Sequence, residues 1–293
     1  MEIKELLTSF AQMTIFAVML SMGMVLGFAG LTRLWKRPSL LLRCIIAAFV
    51  VVPVAAMAVT RLPIDFNVRA GIAAMAVIPG APVTYRKMVK GPADAELAGS
   101  FQATMALLSI LLVPLWFGII STLYPNVATA PLATVFKQVM MVQGIPLLLG
   151  AAIKHWLPEL ADELNNPLNK ISTGMLVAVV LLVLAKGLPL VLNAGALPML
   201  AIVLMAAAAL VIGHFLGGAD PVERQTIAVA NATRNAGLAI ALIALNFPNA
   251  EHAILTTIAT YAVISAIAGS VYAKLYNKRL ARSPGVHNAA HEV

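Results

Sequence analysis

Long apolar runs, separated by short polar or proline-bearing stretches, cover almost the whole chain. A helix needs about 20 apolar residues to cross the hydrocarbon of a bilayer. Nine runs meet that length, at roughly 7–31, 40–60, 67–88, 94–123, 129–155, 165–186, 193–216, 222–246 and 251–275. Turn chemistry marks their ends: Arg37-Pro38, Leu62-Pro63, Gly91-Pro92, Tyr124-Pro125-Asn126, Asn166-Pro167, Gly187-Leu188-Pro189, Gly217-Gly218 and Phe247-Pro248-Asn249. The runs lack the strict alternation of barrel strands. The pattern predicts an all-α membrane protein of about nine transmembrane helices, joined by short loops into one bundle.

Composition agrees with this reading. The chain is 61% hydrophobic and 11% charged, with a mean hydropathy of +0.92, whereas soluble domains carry about 25% charged residues. The formal net charge of +8 does not point to nucleic acid, because the basic residues stand beside apolar segments, as in cytoplasmic loops. With the N-terminus outside, the inner loops and flanks collect Arg33, Lys36, Arg37, Arg43, Arg86, Lys87, Lys90, Lys154, Lys170, Arg224, Lys274, Lys278, Arg279 and Arg282. The outer side keeps Lys4, Arg61, Arg69, Lys137 and Lys186. Fourteen against five is a positive-inside bias. It predicts a multi-pass protein of the cell inner membrane, N-terminus outside and C-terminus cytoplasmic; an even number of spans with a missed break is the alternative. The start, Met1 to Leu6, holds two acids and one lysine and does not read as a cleaved signal. Cys44 is the lone cysteine, so no internal disulfide is expected.

Two of the runs are interrupted. The third contains Ile78-Pro79-Gly80-Ala81-Pro82-Val83-Thr84-Tyr85, and two prolines and a glycine this close together unwind a helix. The eighth contains Asn231-Ala232-Thr233-Arg234-Asn235-Ala236-Gly237. A charge within an apolar span is costly and by default faces a cavity and carries function. One break in each half of the chain is the sequence pointer to an inverted-repeat secondary transporter with its site between the breaks. A simple proline kink is the competing reading of Pro79 and Pro82.

Several stretches, taken in order, resemble the bile acid:sodium symporter family. They are Met22-Gly23-Met24 followed by Arg33 to Pro38; Phe49-Val50-Val51-Val52-Pro53; Pro79-Gly80; Lys137 with Pro146 to Gly150 and Lys154; and Asn235-Ala236-Gly237-Leu238-Ala239. The resemblance covers roughly residues 10–275. It implies panel and core domains built from two inverted repeats, with the broken helices crossing in the core. On this pattern residues 1–123 form a first repeat of four helices with its broken helix at 67–88. Residues 124–278 form a second repeat of five with its broken helix at 222–246, and 279–293 form a cytoplasmic tail. The family's first helix has no counterpart here.

The departures from the family pattern are as informative. Its members bind two sodium ions near the crossing through oxygen ligands. The family's hinge glutamate falls at Ala230, and the glutamine before its asparagine falls at Arg234. Another glutamine falls at Ala48, a serine and an asparagine at Thr84 and Tyr85, and a further serine and threonine at Gln102 and Ala106. Alanine cannot coordinate a cation, and arginine supplies only donors. Two unit charges ~4 Å apart interact by ~4 kcal/mol even at an effective dielectric of 20, so an arginine there opposes sodium. Arg234 reads as a fixed cation in place of the second sodium. Its alternative is a carboxylate partner and a purely structural role, which is disfavoured because no Asp or Glu lies at depth in any predicted span.

The expected function is secondary transport of a small organic anion by alternating access, with Arg234 and the half-helix N-termini receiving the anion. The candidate substrate-binding residues are Arg234, Asn235, Asn231, Thr233, Thr84, Tyr85, Pro82 and Gln102. Facilitated diffusion, exchange and proton coupling all fit better than sodium; a sodium symporter with ligands relocated to Asn231, Thr233, Thr84 and backbone carbonyls is the alternative. No cofactor, metal or catalytic site is expected, and the expected partners are the anion and the lipid bilayer, with no obligate protein partner. A receptor or intramembrane enzyme is the reading from another class, but no catalytic motif or output domain supports it. His214 reads as a helix-end residue before a proton carrier, and His155-Trp156 as an interfacial anchor. Thr104, Gln138 and Gln143 read as interhelical hydrogen-bonding residues.

Overall fold

The computed structural model describes residues 3–81, 93–123, 131–193, 195–246 and 252–280. The described chain is helical: α1 (Ile3–Leu31), α2 (Pro38–Ile46), α3 (Val52–Val59), α4 (Phe66–Val77), α5 (Ala95–Leu123), α6 (Leu132–Val139), α7 (Ile145–Trp156), α8 (Pro158–Asn193), α9 (Ala196–Leu216), α10 (Pro221–Ala232), α11 (Ala236–Asn246) and α12 (His252–Leu280). Short π-helical segments, Ala47–Val51 and Met140–Gly144, fuse α2 to α3 and α6 to α7. Among the described residues, seven helical stretches are long and apolar enough to cross a membrane, and α4 and α11 are shorter apolar helices that border the two breaks. The chain is an all-α, multi-pass membrane protein.

The sixth span begins earlier than its turn signals suggest. Asn166-Pro167 and Gly187-Leu188-Pro189 were expected as turns, yet both lie inside α8. The helix breaks instead at Leu157 (φ −134°, ψ 62°), and Pro158 starts α8. A proline restricts the residue before it and suits the first helical position. Pro167 and Pro189, and the residues four before them, Glu163 and Ala185, all lie on the exposed surface of α8.

Helix α1 runs through the middle of the assembly, against α5, α7, α8 and α11. Its closest approach is to α7. A Cβ on Gly23 would stand 2.1 Å from Leu147 O, and one on Gly150 would stand 2.2 Å from Leu20 O. Only glycine on both helices lets the backbones meet, as in the small-residue packing of membrane helices. On the other side α9 packs on α10, and α12 on α4 and α8. Only 17% of the apolar window of α8 is buried, against 56% for α1 and α12, so α8 presents its apolar surface outward. At one end Arg33 pairs with Asp94 (3.1 Å) and Glu96, and Arg37 forks onto both oxygens of Glu223. These basic loop residues therefore also tie α5 and α10 to the α1–α2 turn.

The π segments have a common cause. Val52 donates its N–H to Ala47 O and Ile145 to Met140 O, five residues back in each case. The next residue is a proline in both, Pro53 and Pro146, with no N–H to give. The helix is left with carbonyls in search of donors. Phe49 O takes one from Trp116 Nε1 at 3.0 Å. Ala48 O takes one from far along the chain.

Candidate anion site at the crossing of two broken helices

Helix α4 ends at Val77, and Ile78–Ala81 continue in non-helical backbone. Gly80 sits at φ +88°, a conformation that favours glycine, and a Cβ there would come within 3.2 Å of Gln102 O on α5. In the second break α10 stops at Ala232, Thr233 is extended (φ −83°, ψ 104°), and α11 starts at Ala236. The breaks run antiparallel across each other: Pro79 bridges Arg234, and Asn235 N–H donates to Ile78 O at 3.1 Å. Helix α4 therefore ends at the first predicted break, the helix is interrupted at the second, and the two non-helical segments cross. Pro82, Thr84 and Tyr85 lie outside the described residues.

The backbone groups released by the second break find partners inside the protein. Tyr261 donates its hydroxyl to Ala232 O at 2.8 Å, and Thr233 Oγ1 donates to Val229 O at 2.8 Å. Gln102 Nε2 donates to Ala230 O at 3.3 Å. Asn235 caps α11, its Oδ1 accepting from Leu238 N–H at 3.1 Å, and its Nδ2 donates to Gln143 Oε1 at 3.0 Å. Gln143, from the second π segment, in turn donates to Ala106 O at 2.7 Å. Leu238 N–H, in the first turn of α11, is thus already spent on Asn235 instead of standing open to a ligand.

Arg234 differs. It is 2% exposed, and its Nη1 donates to Ala48 O at 3.0 Å, the carbonyl freed by Pro53. Its Nε and Nη2 are buried and make no hydrogen bond of good geometry; the Tyr261 hydroxyl stands within side-chain hydrogen-bonding reach of the guanidinium. Among the described residues no carboxylate pairs with it. A buried guanidinium stays charged, and an uncompensated buried charge costs several kcal/mol in real proteins.

Arg234 opens onto a cavity of about 780 Å³. Ile15 and Val18 of α1 and Leu176 and Val180 of α8 form an apolar wall; Thr233 to Gly237 and one face of α12 form the other. Among the described lining residues Arg234 is the only ionisable one; Gln225, Ser265 and Asn277 add neutral polarity. Of the sequence candidates, Arg234, Asn235 and Thr233 meet at this cavity. Asn231 does not line it; its Nδ2 donates to Ala209 O on α9 at 2.8 Å. Gln102 is also away from the lining, at the hinge carbonyl of Ala230. His214 lies elsewhere, its Nδ1 2.7 Å from the Tyr272 hydroxyl among aromatic rings.

Residues 12–194 match the sequence model described as the sodium bile acid symporter family. The chain belongs to this family. No curated protein matches it. The matched range runs from α1 through the end of α8 and includes the first break; Arg234 lies beyond it. Membership makes the protein a transmembrane transporter of the sodium bile acid symporter type. Ala48 and Ala230 are fully buried and offer no side-chain oxygen, and a guanidinium occupies the space between the break and Ala48. Hard cations take oxygen ligands, and Arg234 brings only N–H groups.

Proposed function

We propose that the protein carries a small organic anion by alternating access, that Arg234 binds the anion, and that sodium is not the coupling ion. The observation that supports this most is the buried Arg234 guanidinium, without a carboxylate partner among the described residues, at the wall of a mostly apolar cavity. A carboxylate or similar group entering there turns an unpaired buried charge into a hydrogen-bonded pair. The non-helical backbone on both sides of the site gives it the flexible joint that broken transporter helices use. On this reading the helices of residues 1–123 and 124–278 are two repeats whose breaks share one site.

A sodium symporter with relocated ligands is the second reading. Its support is that Gln102 Oε1 and Asn231 Oδ1 are buried oxygens without a partner. The two readings separate in a melting screen of purified protein against organic anions, run in sodium and in potassium at equal ionic strength, followed by liposome uptake of each hit. The proposal expects anions that raise the melting temperature equally in both salts. Stabilisation confined to sodium would overturn it in favour of the second reading.

A further inference from the structure

The cavity beside Arg234 extends to one side of the crossing. Its described lining follows α10 from Thr233 back to Gln225 and α12 from Ala262 on to Asn277, a helical rise of roughly 22 Å along α12. Both paths lead to the end of the molecule where Arg37 meets Glu223. In the other direction the lining stops at Gly237, and no described residue from Leu238 to Asn246 contributes to it. On the topology expected from the charge bias, the cavity faces the cytoplasm.

Two layers of contact close the α11 side. Gly237 is covered by the side-chain tips of two other helices: a Cβ there would stand 2.3 Å from Ile15 Cδ1 of α1 and 3.2 Å from Leu176 Cδ1 of α8. At the far end of α11, Asn246 and Gln138 of α6 form a reciprocal amide pair. Gln138 Nε2 donates to Asn246 Oδ1 at 3.2 Å, and Asn246 Nδ2 donates to Gln138 Oε1 at 2.7 Å. Both residues are half-buried, and α11 carries no charged residue. These contacts can therefore part without stranding an ion, and water can replace the amide partners at small net cost. The three covering residues stand on elements that pack on one another, since α6 is fused to α7 and α1 lies against both α7 and α8. Ile15, Gln138 and Leu176 can withdraw from α11 as one body.

We infer that the protein stands here open at the α12 end, and that the Gln138–Asn246 amide pair, with Ile15 and Leu176 over Gly237, is the gate that parts when the cavity is reached from the opposite side. The inference rests on the alternating-access part of the reading above and needs neither the substrate nor the coupling ion.

The test is thiol accessibility in the purified full chain, with a water-soluble methanethiosulfonate and no ligand. Cys44 is buried, so the unaltered chain gives the background. Ala241→Cys reports the α11 side, because Ala241 is 1% exposed and lies one turn beyond Gly237 on the same helix face. Ala266→Cys reports the cavity, which Ala266 lines. Ala266→Cys should react readily and Ala241→Cys hardly at all. Adding Gln138→Leu removes both amide hydrogen bonds, so Ala241→Cys should react about tenfold faster and Ala266→Cys more slowly. Adding Gly237→Ala instead, which presses on Ile15 and Leu176 and leaves the amides intact, should move the two rates in the same opposite directions; it decides the matter if Gln138→Leu does not fold. Ready reaction of Ala241→Cys in the otherwise unaltered chain overturns the gate. So does faster reaction at both positions, which marks loosening, or an Ala241→Cys rate that neither added substitution moves. Each of these results leaves the anion site to its own melting screen, since no ligand enters this measurement.

Discussion

Replacing Arg234 by methionine should make the ligand-free protein more stable while abolishing anion binding. Methionine has nearly the length of the arginine stem and fills irregular apolar space well. Two effects compete. The substitution leaves Ala48 O without the donor it now has at 3.0 Å, a cost of about 1–3 kcal/mol for one orphaned buried group. It also removes two orphaned N–H-bearing nitrogens, Nε and Nη2, worth about 1–3 kcal/mol each by the same measure, together with a desolvated charge that has no counter-charge. The second effect is larger. Exchange of buried ionic groups for apolar ones of similar volume is commonly neutral or stabilising by about 1–4 kcal/mol. At ~2–4 °C per kcal/mol for a chain of this size, Arg234→Met should melt about 2–16 °C higher in detergent. The assay is thermal unfolding without ligand, paired with titration of an anion that the unaltered protein binds. A melting point several degrees lower would show that Arg234 holds the crossing together, and the site reading would lose its premise.

Two further outcomes follow from packing and from proline chemistry. Gly150→Ala should destabilise by about 1–3 kcal/mol, because its Cβ would meet Leu20 O at 2.2 Å; Gly174→Ala, whose Cβ meets nothing within 4 Å, should be neutral or slightly stabilising, and equal melting of the two variants would refute the tight α1–α7 contact. Pro53→Ala restores an N–H that competes for the carbonyls of the π segment, so anion affinity should fall roughly fivefold or more as Arg234 Nη1 loses its anchor, while melting stays level or rises; unchanged affinity would show that Ala48 O does not set the pose of the guanidinium.

Elements whose apolar length decides them were readable from the chain. The helices over 94–123, 193–216 and 251–275 needed only hydropathy, and both breaks were visible as local conflicts: two prolines beside a glycine, and an arginine between asparagines. The end of α7 was readable, since the fifth run stops at 155, but the start of α8 was not: Asn166-Pro167 carries a stronger turn signal than Leu157-Pro158, yet it lies inside the helix. The site was half legible. Arg234, Asn235 and Thr233 stood out as polar residues in an apolar run. Asn231 stood out equally, and only the packing on α9 turns it from the cavity. Ala48 was noted for the oxygen its side chain lacks, whereas its part is played by a backbone carbonyl. The signal for that was Pro53, five residues on, but a proline announces a free carbonyl without saying which distant donor will use it. Gln143 looked like one of several interhelical amides, and its contact with Asn235 depends on the second π segment.

The pattern of satisfied and unsatisfied groups bears on whether Arg234 is a fault in the fold or a site. Native interiors leave few buried polar groups unpaired, and each one calls for an explanation. Around the second break the carbonyls of Ala230 and Ala232 and the Asn235 N–H are matched. Careless packing would have left such backbone groups open first, since they are the ones the break releases. The other unpartnered buried side-chain atoms among the described residues are the neutral oxygens of Gln102, Gln225, Asn231, Thr260 and Asn277. Arg234 alone among these residues carries a charge, and it stands on the cavity wall beside the Tyr261 hydroxyl. Two π segments, each followed by a proline, hold it there, one through Ala48 O and one through Gln143 and the neighbouring Asn235. On the proposed reading, a buried charge held this firmly and left without a carboxylate is what an entering anion would neutralise.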